Sequence, residues 1–137
     1  MATYDDIREA ILGRLESGFS AIDIDWPGVQ FIPEPSDDAW LRVGIIGLGG
    51  DEIDIEDGCV EISGELECAF FSRMGKSDKV ITGHMDSVRA LFPRGLKIST
   101  SSGIVRFFEA QPAFPVQDSE GWYQEIVKFP FHIFTST

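Results

Sequence analysis

The sequence is poor in the residues that build metal and nucleophile sites. It holds two cysteines, Cys59 and Cys68, and two histidines, His84 and His132. Both cysteines fall in one strand-like run, where a rise of about 3.3 Å per residue sets them roughly 30 Å apart, far beyond disulfide reach. They read as buried thiols of a reducing compartment. The histidines have no HExxH pattern, no cysteine pair at two-residue spacing and no third ligand beside them, so the sequence indicates no zinc site. His84 falls on the apolar stripe of its segment and reads as a core or interface histidine. Cations are scarce as well: 11 Lys and Arg stand against 23 Asp and Glu, a formal net charge of -12. So acidic a surface would repel nucleic acid and anionic membrane, which leaves a protein surface as the expected partner. No run approaches the ~18 apolar residues of a membrane span, and the opening MATYDDIREA lacks a basic segment followed by an apolar one. A soluble chain is expected, and it shows no internal repeat.

What the chain does have is apolar and aromatic content. Hydrophobic residues make up 43% of its 137 positions, with eleven Phe and three Trp. That is enough for one core and argues against disorder despite the charge, so a single domain over residues 1–137 is expected.

Periodicity orders the elements. Tyr4, Ile7, Ala10, Ile11 and Leu15 recur at steps of three and four, which predicts an amphipathic helix over Thr3 to Ser17. Thr3 would be its N-cap, Asp5 and Asp6 would favour its N-terminal dipole, and Gly18 would stop it. Ala21 to Trp26 alternates as a half-buried strand, and Val29 to Ile32 resumes an extended run after Pro27-Gly28. Pro33, Pro35, Ser36, Asp37 and Asp38 read as a loop. Trp40 to Phe71 then reads as one long β-hairpin. Its first arm sets Leu41, Val43 and Ile45 against Arg42, Gly44 and Ile46. Its second sets Val60, Ile62, Leu66, Cys68 and Phe70 against Glu61, Ser63, Glu65 and Glu67, so one face should be buried and the other wet. Gly44, Gly47, Gly49, Gly50 and Gly64 predict bulges or bending.

Val80, Ile81, His84, Met85, Val88, Leu91 and Phe92 follow helical spacing up to Pro93. Leu96 to Ser99 and Ile104 to Glu109 flank a serine-rich turn as a second hairpin, and Ala110 to Gly121 reads as a loop. Trp122 to Phe134 alternates as a long strand, with Pro130 at an edge or bulge. The sum is an α+β domain: two helices packed on an antiparallel-dominated sheet, with a mixed sheet the alternative, and a long hairpin projecting over about residues 40–71.

The acidic residues are the only candidates for chemistry. From Asp51 to Glu67 there are eight acids and no base. Glu61, Glu65 and Glu67 could supply the carboxylate pair of a small hydrolase, whose members stand about 5 to 10 Å apart. Any wet strand face rich in Glu meets that spacing, so a solvated or partner-facing stripe is the simpler reading. Asp51, Glu52, Asp54, Glu56 and Asp57 could gather Ca²⁺ in an interaction module, but Ile53 and Ile55 interrupt them and no closing glutamate follows at the EF-hand position. The alternative is a partner contact in which Ile53 and Ile55 give the apolar points and the acids give selectivity. Gly47, Gly49 and Gly50 lead into acids that would repel phosphate. Ser99 to Ser102 lacks a nucleophile pattern and reads as a turn. No catalytic residue, cofactor or metal is expected.

The order of elements, with Trp26-Pro27 and Phe31-x-Pro33 leading to Trp40-Leu41-Arg42 and a GWYQEIVKFPF run ending at Phe131, resembles the tail terminator proteins (tail completion or minor tail proteins) of long-tailed bacteriophages. The resemblance covers nearly the whole chain. It implies a non-enzymatic structural subunit of a homo-hexameric ring at the head-proximal end of the virion tail, assembled in the host bacterial cytoplasm. Such a ring caps the tail tube, ends its polymerisation and serves head-tail joining, with the tail tube protein and a head-completion or neck protein as partners. A head-to-tail connector or stopper is the neighbouring role.

Overall fold

The computed structural model describes residues 4–31, 39–54, 59–73, 79–101, 103–112, 116–117 and 122–136. Two helices, α1 (Tyr4–Gly18) and α2 (Lys79–Leu91), accompany eight strands: β1 (Asp23–Asp25), β2 (Ala39–Asp54), β3 (Cys59–Arg73), β4 (Lys97–Thr100), β5 (Gly103–Phe107), β6 (Gln111–Pro112), β7 (Val116–Gln117) and β8 (Trp122–Ser136). All strands belong to one sheet ordered β1-β2-β3-β8-β5-β4, with β6 and β7 also paired to β8. The sheet is mixed. β1 runs parallel to β2, and the remaining pairs are antiparallel. The chain between β1 and β2 is long enough to return β2 in the same direction, which a tight turn could not do. The architecture is α+β, but residues 40–71 do not project as a free hairpin, because β3 is paired with β8 from Cys59 to Arg73 and lies inside the sheet.

Both helices lie on one face of this sheet. Ile7, Ile11 and Leu15 of α1 and Ile81 and Val88 of α2 are fully buried against Leu41, Leu66, Cys68, Phe70, Val105, Val127, Phe129 and Ile133. Phe92 stands 5.2 Å from Phe107 and 5.5 Å from Phe129, and Phe107 stands 5.6 Å from Phe131, so rings step across β5 and β8. Burying three aliphatic side chains contributes on the order of 5 to 9 kcal/mol to α1, well above the ~1 kcal/mol that Gly13 costs inside it. Arg14 Nε donates to the Leu91 carbonyl at 2.6 Å, which ties α1 to the C-terminal end of α2 where carbonyls lack helical partners.

Several local expectations change. The first strand is limited to Asp23–Asp25. Val29 is not extended: Gly28 takes φ +78° and Val29 N donates to the Trp26 carbonyl at 3.2 Å, closing a turn. Gly18 is the last helical residue and has no positive φ; its small size matters instead, because a Cβ there would meet Leu91 Cδ2 at 2.5 Å. Residues 110–121 are not all loop, since β6 and β7 each pair with β8. Thr3 lies outside the described residues. Pro130 sits in a central strand rather than at an edge, opposite Glu65 of β3. Its carbonyl accepts from Phe108 N at 2.9 Å on the other flank. The nitrogen and carbonyl of a strand residue face the same side, so the missing N–H falls between β5 and β6 and costs β3 no ladder bond.

Gly47 supplies the expected bulge. It takes φ +65° and the β2–β3 register shifts between Ile46 and Gly49. Strands of 15 or 16 residues reach about 50 Å, whereas a 15-residue helix covers about 22 Å, so neither helix spans the full length of the long strands.

Candidate assembly surface

The helix-free face of the sheet holds the residues with most to offer a partner. Alternation assigns it Trp40, Arg42, Gly44 and Ile46 from β2, the odd residues Glu61 to Arg73 from β3, the even residues Trp122 to His132 from β8, and Ile104 and Arg106 from β5. Register brings them side by side: Phe71 lies opposite Trp40 and Gln124, Ala69 opposite Arg42 and Ile126, Glu67 opposite Gly44 and Lys128, and Glu65 opposite Ile46 and Pro130.

At one end this face is not wet at all. Trp40 and Phe71 stack with centroids 4.0 Å apart and planes 4° from parallel. Trp122 meets Trp40 edge-on at 6.0 Å, and Phe31 closes on Trp40 at 5.0 Å. Trp40, Ala69, Phe71 and Trp122 form a second buried cluster, to which no described helix residue contributes. Cations cover it instead. The Arg42 guanidinium lies 5.2 Å from the centroids of both Trp40 and Phe71, and that of Arg73 lies 4.5 Å from Trp122. Each such contact contributes about 0.5–1 kcal/mol at an exposed site. Arg42 Nε also donates to Asp25 Oδ2 at 3.0 Å, a bond that anchors β1; with the Arg42 side chain 56% exposed, the ion pair contributes at most about 1 kcal/mol.

The expectation of one buried and one wet face therefore fails around Trp40, Phe71 and Trp122. The signal was present, because Ala69 and Phe71 share the parity of Glu61, Glu65 and Glu67, and Trp40 shares that of Arg42. A stripe whose members change from acid to aromatic along one strand is a face that dries out along its length.

Away from the cluster, polar and apolar groups mix. Glu61 Oε1 lies 3.0 Å from His132 Nδ1, and Phe108 stands edge-on to His132 at 4.7 Å. Glu67 is in register with Lys128. Glu65 Oε2 here, like Trp40 Nε1 within the cluster and Glu125 Oε2 on the opposite face, is buried without a hydrogen-bond partner among the described residues. Ile46, Ile104 and Phe108 are 40%, 53% and 44% exposed, so large apolar groups also reach solvent here.

The acidic positions divide three ways. Glu61, Glu65 and Glu67 stand along β3, at steps set by the strand. Asp51, Glu52, Ile53 and Asp54 lie on the backbone of β2, with Asp51 in register with Glu61, Glu52 with Val60 and Asp54 with Cys59; the register shift falls at Ile53. Ile55, Glu56 and Asp57 lie outside the described residues, as does much of the suggested Ca²⁺ tip. Among the described residues no three His, Cys, Asp or Glu side chains converge as a metal would require. Cys68 is buried on the helix side, where desolvation and then the neighbouring Glu67 carboxylate push its thiol well above the usual range. His84 packs edge-on to Phe19 at 5.9 Å, and partial burial lowers its pKa. Ser101 Oγ donates to Asp6 Oδ2 at 3.1 Å, a link from the β4–β5 turn to α1.

The fold has a solved counterpart. One solved structure aligns over 100% of this chain and 97% of its own with a TM-score of 0.66 at 17% identity. No curated protein matches the chain. The model of the phage tail terminator protein family matches residues 6–131, nearly the whole of both the helix-covered and the helix-free face, and the chain belongs to that family.

Proposed function

We propose that this chain is a structural, non-enzymatic virion protein that forms a hexameric ring on the phage tail tube, ends tube polymerisation and presents the surface for head-tail joining. The family match over residues 6–131 carries the reading. A phage tail role follows from it, and the ring, its six-fold order and the head-side contact are the further steps proposed here. Two features of the fold support a ring. The sheet ends in two different edges, β4 on one side and β1 with β2 on the other, and a cyclic assembly joins two different patches of each subunit. The helix-free face also exposes Ile46, Ile104 and Phe108 among charged groups, a mixture suited to a large protein partner.

In this reading the β2–β3 pair is the long binding element. Asp51, Glu52, Asp54, Glu56 and Asp57 supply charge complementarity to the tail tube protein or the neck protein, Ile53 and Ile55 supply apolar contact, and Glu61, Glu65 and Glu67 continue the acidic stripe. The subunit acts at the head-proximal end of the tail after assembly in the host cytoplasm. Native mass spectrometry and negative-stain microscopy, with the protein alone and with tail tubes of the same phage, test this. A ring capping one tube end is expected. A protein that stays monomeric in both conditions and leaves tubes uncapped overturns it.

A further inference from the structure

We propose that ring subunits join by strand addition, with β4 of one copy lying parallel against residues 43–46 of β2 in the next. This rests on the ring reading above and says which surfaces close it.

Among the described residues both edges are open over matching lengths. β1 covers β2 only at Trp40, Leu41 and Arg42. From Val43 to Ile46 the outer side of β2 has no strand among the described residues, and at Gly47 the bulge ends the regular run. β4 spans four residues, Lys97–Thr100. Its free groups can be assigned. Phe107 N donates to the Leu96 carbonyl at 2.9 Å, and Ile98 is in register with Val105. Antiparallel alternation therefore turns the backbone groups of Ile98 and Thr100 toward β5 and those of Lys97 and Ser99 outward. An edge of unpaired N–H and C=O groups is a template for another strand.

Side chains match across the junction on both faces. Ile98 is half-buried on the helix-covered side of β4, where β2 offers buried Val43 and half-buried Ile45. On the helix-free side, exposed Ile46 of one copy meets small Ser99 and, one strand further in, exposed Ile104 of its neighbour. Charge favours the same pairing. Exposed Arg94, Lys97 and Arg106 surround the β4–β5 edge, with Glu109 following β5, whereas the opposite edge carries Asp23 and Asp25 on β1, with Arg42 of β2 already paired to Asp25. Copies of a chain with formal net charge -12 repel one another in most orientations; this one sets unlike charges together.

Direction follows from topology. β3 runs opposite to β2, β8 opposite to β3, β5 opposite to β8 and β4 opposite to β5, so β4 and β2 point the same way. Rotation about a ring axis lying along the strands preserves that direction, and the junction is parallel.

Ser99→Pro is the direct test, because the lost N–H faces outward and no ladder bond within the chain depends on it. The variant should keep the far-UV circular dichroism of the wild type and lose the ring, alone or on tail tubes. Independently, Ser99→Cys combined with Gly44→Cys or with Ile46→Cys, in a Cys59→Ser, Cys68→Ala background, should give under oxidation a reducible ladder of covalent oligomers from one of the two pairs. Gly44 accepts a side chain, since a Cβ there meets nothing within 4 Å. If Ser99→Pro does not fold, the ladder alone decides. Rings that persist in folded Ser99→Pro, or that yield no ladder from either cysteine pair, overturn strand addition and leave the ring reading standing. A wild type that is monomeric with and without tubes overturns the ring reading instead.

Discussion

Two glycines of α1 should respond to the same substitution with opposite signs. At Gly13 a Cβ would meet nothing within 4 Å, so Gly13→Ala gains the helix propensity difference of about 1 kcal/mol in stability. At Gly18 the Cβ would lie 2.5 Å from Leu91 Cδ2, 2.9 Å from Cδ1 and 3.3 Å from Cγ. Three atoms of one side chain are too close together for a methyl rotation to clear them, so Leu91 must change rotamer or α1 must move. Neither is free. Leu91 packs on the core, and its carbonyl is held by Arg14 at 2.6 Å. Overpacking of this kind costs about 1–3 kcal/mol, and the propensity gain at the last helical residue is smaller than at Gly13, so Gly18→Ala should destabilise by about 1 kcal/mol or more. Urea unfolding at fixed protein concentration reads both effects as midpoint shifts at constant slope. In thermal scans the two variants should fall on opposite sides of the wild type, each by about 3–5 °C for a domain of this size. Equal stabilisation by both would show that α1 and α2 do not approach each other at Gly18, and the placement of α2 would be wrong.

His84 and Cys68 give two further checks. Burial lowers the His84 pKa below its ordinary 6.5, so the folded chain resists a proton that the unfolded chain accepts; stability is unaffected above about pH 6.5 and is lost as pH falls below it. Wild-type protein should therefore lose more stability between pH 7.5 and 5.5 than His84→Gln, and equal losses would refute the assignment. With Cys59→Ser removing the other thiol, Cys68 should react with a disulfide reagent at pH 8 at least ~100-fold more slowly in the native state than in urea, because only opening of the sheet exposes it. Comparable rates would place the thiol at the surface.

Periodicity made the helices and the long strands legible. Ile7, Ile11 and Leu15 specify one face of α1 whatever the tertiary context, and Val127, Phe129, Phe131 and Ile133 mark the inner face of β8 just as plainly. The parallel placement of β1 was not legible, because three residues alternate equally well beside either neighbour and the Arg42–Asp25 bond that anchors them is a tertiary fact. Pro130 misled for a different reason. Proline is excluded from central strands only where its nitrogen faces a ladder bond, and the break between β5 and β6 that frees it involves residues some twenty positions earlier. The aromatic cluster was half legible: the parity of Trp40 and Phe71 is visible in the sequence, but their stacking depends on the β2–β3 register, and Trp122 joins only because β8 crosses beside β3.

Compensation of charge separates the two ends of the helix-free face. Near the centre Glu61 lies 3.0 Å from His132 and Glu67 stands in register with Lys128, while at the aromatic end Arg42 and Arg73 lie over rings, with Asp25 holding Arg42. Further along β2, Asp51 is in register with Glu61, whose carboxylate already has His132 beside it, and Glu52 is in register with Val60. Like charges facing each other across two strands destabilise the pair. By register Asp51 and Glu61 are such a pair, where a neutral residue would hold the strands together at least as well. A cationic partner surface would reverse that sign, turning a cost in the free subunit into a gain on docking. This is the electrostatic ground for giving Asp51, and Glu61 opposite it, a part in the proposed partner contact.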